Sequence, residues 1–204
     1  MPRSPRVCLD GVPLHVVNRG NKRQVIFLED ADYLGFLGAL ATVAERSSVR
    51  LLTFCLMPNH FHLVLWPAVG SEVPAYMQMM MTAHIRDLQR RHGTVGTGHV
   101  YQSRYRSSAI FSERHLLNVC RYVEANGLAA GLASRAELWP WSRLARTGPS
   151  DDVNLLTDWP VKRPENWLDL VNQPLGDRVW KKMMKEIRRS QPDARFLRSL
   201  EPVG

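Results

Sequence analysis

Two histidines two positions apart, His60 and His62, stand in the apolar stretch CLMPNHFHLVLWP at residues 55–67. Side chains alternate between the faces of a strand, so this spacing sets both imidazoles side by side while Phe61 points away. Two such rings can share one divalent cation, or they can be two satisfied core histidines; only partners elsewhere in the chain decide. The stretch NVCRYVEANG at 118–127 offers partners, because Asn118, Tyr122 and Asn126 are four apart and form one polar helical stripe. Leu116, Cys120, Val123 and Gly127 fall on a different, largely apolar stripe that can pack on a sheet. A phenol titrates at about 10 and is a weak nucleophile unaided. A divalent ion that polarises a phosphodiester oxygen would help from the substrate side, and Asn126 could add an oxygen ligand one turn from Tyr122. Attack by Tyr122 would make a phosphotyrosine bond that keeps the phosphodiester energy, so a second hydroxyl could rejoin the strands. Plain hydrolysis would need no tyrosine.

The elements that must position these groups follow from periodicity. Residues 12–19 are β-rich and run into a Gly-Asn turn, and VIF at 25–27 is a short extended piece. Tyr33, Leu34, Leu37, Leu40, Ala41 and Ala44 recur at helical spacing from Asp30 to about Ser47, with Asp30 as the expected N-cap. Residues 50–57 and 60–66 read as two strands joined tightly at Pro58-Asn59. Residues 72–93 fit a helix with Met77, Met81, Ile85 and Leu88 along one stripe and Gly93 at its end. The methionines read as core packing. A strand region is expected over 99–111, then a helix capped by Ser112 and running to about Asn126. The first six elements spell an α+β, ferredoxin-like βαββαβ pattern: an antiparallel sheet with helices on one face. The seventh is an added helix, carrying Tyr122, that returns to the sheet.

Residues 1–148 are read as the catalytic domain and 149–204 as a basic, mainly helical extension. The segment from Arg178 to Arg198 alone carries eight Lys or Arg. The 204 residues carry a net charge of +8, which points to a polyanionic partner, nucleic acid before membrane. Apolar content of 45% and charged content of 23% describe a globular chain. No apolar run approaches the ~18 residues of a membrane span, and no signal sequence is expected. Cys8, Cys55 and Cys120 read as reduced thiols of a cytosolic protein.

Five ordered segments, HVVNRGNKRQVIF, CLMPNHFHLVLWP, GHVYQSRYRS, LLNVCRYVEANGLAAGL and WPWSRL, together resemble the HUH tyrosine transposases of the IS200/IS605-like group. Among these, the chain is most similar to those associated with repetitive palindromes in bacterial genomes. The resemblance covers roughly residues 12–145 and implies a bacterial, cytoplasmic, nucleoid-associated enzyme. It implies Mg²⁺ or Mn²⁺ held by His60 and His62, with Tyr122 and Asn126 matching the family's Tyr-x-x-x-Asn segment. It further implies cleavage of single-stranded or hairpin DNA through a 5′-phosphotyrosine with release of a 3′-hydroxyl. Mn²⁺, which accepts imidazole more readily, is expected to bind tighter than Mg²⁺. Relatives of the group share sites between two subunits, whereas the palindrome-associated branch implies a monomer. The chain departs from the usual Asn-Pro-x-Arg-Ala continuation at Gly127 and Ala129, which is expected to loosen the helix end and remove a phosphate or structural contact.

Arg19, Lys22 and Arg23 after the first strand, and Arg104 and Arg106 around Tyr105, are candidate backbone contacts. Tyr101 and Tyr105 could stack on unpaired bases. They are also rival nucleophiles, but a strand offers them no metal-binding partner four residues on, so Tyr122 is preferred. Two other functions stay open: a hairpin-binding protein of the same fold without productive cleavage, and a phosphoesterase in which water attacks.

Overall fold

The structure is a computed structural model and describes residues 8–145 and 158–173. The elements run β1 (Leu14–Arg19), α1 (Asp30–Ala44), β2 (Val49–Met57), β3 (His60–Pro67), α2 (Val73–Arg91), β4 (Arg106–Ala109), α3 (Glu113–Glu124), α4 (Asn126–Ala129) and α5 (Trp167–Asn172). The strands form one sheet in the order β2-β3-β1-β4, every neighbouring pair antiparallel. The expected βαββαβ order and the returning helix are both present.

Alternation along the strands divides the molecule into two cores. Leu14 and Val16 of β1, Phe54 and Leu56 of β2, and Phe61, Leu63 and Leu65 of β3 face α1 and α2, where they meet Phe36, Leu40, Tyr76 and Met80. The opposite face of β2 and β3 presents Leu52, Cys55, Val64 and Trp66 to Leu116, Val119, Cys120 and Val123 of α3. Met77 and Met80 are fully buried and Met81 packs beside them, so the methionine stripe is core. Ser112 caps α3 by accepting from the His115 backbone N–H. The N-cap of α1 is Glu29, not Asp30: Asp32 at the third helical position completes a capping box with it. Asp32 also receives His92 Nε2 at 2.8 Å, tying the start of α1 to the end of α2.

The expected strand over 99–111 contracts to four residues, with one isolated bridge between Gly20 and Tyr101. Gly96 and Gly98 enter the left-handed region just before it, and Asn18 Nδ2 takes the Ser103 carbonyl at 3.1 Å. A side chain thus replaces part of the ladder there.

The tryptophan-rich stretch closes the outer border of β2. Leu56 N–H donates to the Trp141 carbonyl and Arg143 N–H to the Phe54 carbonyl. The indoles of Trp139 and Trp159 donate to the Leu56 and Leu52 carbonyls. An uncovered edge would invite foreign strands; this one is covered. Trp167 of α5 donates to the buried Glu124 carboxylate at 2.7 Å, which Thr53 also supplies at 2.6 Å. Residues 174–204, which hold the basic segment, lie outside the described residues.

Gly127 does not loosen the helix end. A Cβ there would stand 2.5 Å from Trp139 Cγ, so the glycine is what lets the indole lie against the backbone. Trp139 is pinned by its bond to Leu56 and cannot swing clear at no cost. Gly127→Ala is therefore expected to destabilise the protein by about 1–3 kcal/mol. The measurement is the denaturation midpoint, and an unchanged midpoint would mean that Trp139 relocates freely.

A candidate active-site cleft of histidines, arginines and one tyrosine

The register of the sheet brings the polar residues of its outer face into rows. Cys55, His62, Val17 and Arg106 lie in one row across all four strands, and Met57, His60 and Arg19 in the next. A cleft of about 450 Å³ opens over the β1, β3 and β4 part of these rows. His15, Arg19, Arg23, His60, His62, Arg106 and Tyr122 line it, with Gln102 and Ser103 at its rim. Three guanidinium groups and, among the described residues, no carboxylate in the lining make it suited to a phosphate chain.

Helix α3 lays Tyr122 over the histidines. Its ring meets His62 edge-on, with centroids 5.2 Å apart, and meets His15 the same way at 5.9 Å. Burial raises the phenol above its usual pKa, while a hydrogen bond from Asn126 and the charge of Arg19 pull it back down. The ring is buried but its cleft side is accessible. His60 and His62 stand perpendicular, centroids 5.0 Å apart. Burial lowers His60 to about 4, with Arg19 adding to the effect. Burial, then the neighbouring His15, His60 and Arg19, also holds His62 well below the ordinary imidazole value. Both rings are consequently neutral at physiological pH, the form that binds metal.

The ring nitrogens of the pair have the chemistry of cation ligands. His60 Nδ1 lies 2.7 Å from Asn59 Oδ1, which can only accept, so the proton is on Nδ1 and the Nε2 lone pair is available. His62 Nδ1 is paired with His15 Nε2, and its Nε2 is buried with no hydrogen-bond partner among the described residues. A buried nitrogen of this kind in a neutral ring is suited to a divalent ion.

His15 was not among the residues singled out from sequence. Its signal was present: it alternates with Val17 and Arg19 in β1, and pairing β1 with β3 turns all three toward His62. Asn126 lies outside the cleft lining. Its amide nitrogen is bonded to the Tyr122 carbonyl at 2.8 Å and the Val123 carbonyl at 3.3 Å, so it braces the end of α3. Of the basic candidates, Arg19, Arg23 and Arg106 reach the cleft, while Lys22 and Arg104 line separate neighbouring grooves. Lys22 and Arg23 both have positive φ, 50° and 64°, a conformation non-glycine residues rarely adopt. Tyr101 and Tyr105 are buried in the core beneath α1 and α2, and the Tyr101 hydroxyl is bonded to His84 Nδ1 at 2.9 Å.

Among solved structures, the chain is similar to a REP-associated tyrosine transposase bound to a REP hairpin. Identity is 17% and the TM-score 0.59, over 80% of this chain and 98% of that one. A candidate transposase from Deinococcus radiodurans aligns at 19% identity and a TM-score of 0.42, over 61% of this chain and 95% of that one. No curated protein matches significantly. No helix among the described residues is long and apolar enough to cross a membrane. The model of the IS200-like transposases matches residues 8–126, from before β1 to the asparagine that braces the tyrosine helix. The chain belongs to the IS200-like transposase family, enzymes that act on DNA in transposition.

Proposed function

We propose that the protein nicks and rejoins single-stranded or hairpin DNA through a covalent tyrosine intermediate. The observation that carries this reading is Tyr122 standing edge-on to His62 in an arginine-lined cleft. The Tyr122 oxygen attacks a backbone phosphorus as its proton leaves. A P–Oη bond forms, the P–O3′ bond breaks, and the departing oxygen takes up a proton to become a 3′-hydroxyl. The protein then holds a 5′-phosphotyrosine. Attack by another 3′-hydroxyl reverses the sequence and frees the tyrosine, with no net change in the number of phosphodiesters.

His60 and His62 would hold Mg²⁺ or Mn²⁺, which supplies charge stabilisation at the phosphate. Arg19 lies close enough to Tyr122 to lower its pKa, and so favours the phenolate that must attack. Arg23 and Arg106 hold the backbone on either side. Asn126 braces the helix turn that presents the nucleophile and bonds to the phenol itself. A monomer is the state proposed, as the palindrome-associated branch implies. The similar solved structure holds a REP hairpin, and a hairpin with adjoining single strand is the substrate proposed here.

The test is incubation of a labelled hairpin with protein and Mn²⁺, followed by denaturing electrophoresis. A labelled protein–DNA adduct supports the reading. Binding without cleavage would favour the non-catalytic alternative, and cleavage without adduct would favour attack by water. The non-catalytic alternative drew on Gly127 and Ala129; the packing of Trp139 accounts for the first of these, and the assay decides the alternative.

The arginines carry a separate expectation. Replacing Arg19, Arg23 or Arg106 with alanine should weaken binding of unrelated single strands alike. Each should also lower the slope of log affinity against log salt by about 0.7, as for one lost phosphate contact on single-stranded DNA. Fluorescence anisotropy across a KCl series measures it; an unchanged slope would remove that arginine from the DNA path.

A further inference from the structure

His15 enters the cleft from β1, diagonal to His62, with its ring nearly parallel to that of His62 at 11° and centroids 5.2 Å apart. The two are linked by one short contact, His15 Nε2 to His62 Nδ1 at 3.0 Å. A neutral imidazole carries one proton, so His62 exists in two tautomers, and only one leaves Nε2 bare. Were the proton on Nε2, a buried N–H would face no acceptor among the described residues. With the proton on Nδ1, it is donated to His15, and Nε2 offers its lone pair. His60 is fixed the same way by Asn59.

We infer that His15 is a positioning residue: it accepts the Nδ1 proton of His62 and so holds the Nε2 lone pair toward a divalent cation in the cleft. Metal-bound histidines commonly give their second N–H to a carboxylate or a carbonyl. A neutral imidazole in that place does the same work without adding negative charge where DNA phosphates must enter. His15 is buried and fixed by β1 between Ser108 of β4 and Val64 of β3, so the acceptor does not wander. It also touches the Tyr122 ring, so one side chain steadies both the metal ligand and the nucleophile.

The inference rests on His60 and His62 being metal ligands, and the test separates the two. In metal-free wild-type protein, ¹⁵N NMR of the histidine rings should find the His62 proton on Nδ1. In His15→Phe, which fills the space but cannot accept, His62 should become a mixture of tautomers. Mn²⁺ affinity, followed by electron paramagnetic resonance, should fall on the order of 10- to 100-fold. His15→Gln, whose carbonyl oxygen can accept, should restore most of both. A wild-type His62 protonated on Nε2 overturns the inference without touching the proposed metal site, and so does His15→Phe with undiminished Mn²⁺ affinity. Equal losses in His15→Phe and His15→Gln also overturn it. Wild-type protein that binds no Mn²⁺ overturns it together with the ligand assignment.

Discussion

Tyr122→Phe is expected to abolish the protein–DNA adduct, lowering cleavage on the order of 10³-fold or more, while hairpin affinity and fold persist. The magnitude follows from removing the attacking atom, for which no other group in the cleft substitutes. The fold persists because phenylalanine keeps the edge-on contacts with His62 and His15 and loses only the hydroxyl. Tyr101 and Tyr105 cannot take over without leaving the core on the other side of the sheet. Denaturing electrophoresis of the labelled hairpin measures the adduct, anisotropy measures affinity, and thermal denaturation measures the fold. Cleavage at the wild-type rate in Tyr122→Phe would transfer the reaction to water, and the tyrosine chemistry would fall.

The second large effect is expected at the histidine pair. His60→Ala and His62→Ala should each lower Mn²⁺ affinity on the order of 10²-fold or more and stop cleavage, with hairpin binding retained in EDTA. His60→Ala is the cleaner variant, because His60 is half-buried whereas His62 is enclosed and its loss leaves a void. The low pKa values fix the pH response. Because His60 protonates only near 4 and His62 is held well below its ordinary value, protons compete with the ion only in acid. Mn²⁺ binding should therefore persist down to about pH 5, below the range where exposed imidazoles lose metal. Calorimetric titration across pH measures this. Loss of binding already at pH 6.5, or wild-type affinity in His60→Ala, would remove the pair as the ligand set.

Much of this arrangement was legible in the chain. Period-two alternation placed His60 beside His62 and opposite Phe61, and period-3.6 spacing separated Tyr122 from the apolar stripe of its helix. Those patterns are local, and local patterns survive folding. What escaped was set by contacts between distant segments. His15 becomes part of the site only because β1 pairs with β3, a fact of topology. Gly127 looked like a weak helix end because its reason is an indole twelve residues on. Tyr101 looked available for stacking because a strand pattern does not say which face is covered, and the glycine-rich approach to it shortened the strand itself. That Asn126, on the stripe of Tyr122, also ties down the carbonyls at the helix end through its amide nitrogen was equally hidden.

The sheet has the α1 and α2 core on one side and α3 with the open cleft on the other, and β2 turns into β3 through Pro58 and Asn59 alone. Which medium a side chain meets is therefore decided by parity. Gaining or losing one position ahead of His60 would carry Phe61 and Leu63 to the α3 and cleft side and push both imidazoles into the α1 and α2 core. Exchanges of one aliphatic for another beneath α1 and α2 leave this frame untouched. The catalytic character of the molecule thus hangs on the count of residues as much as on their kind.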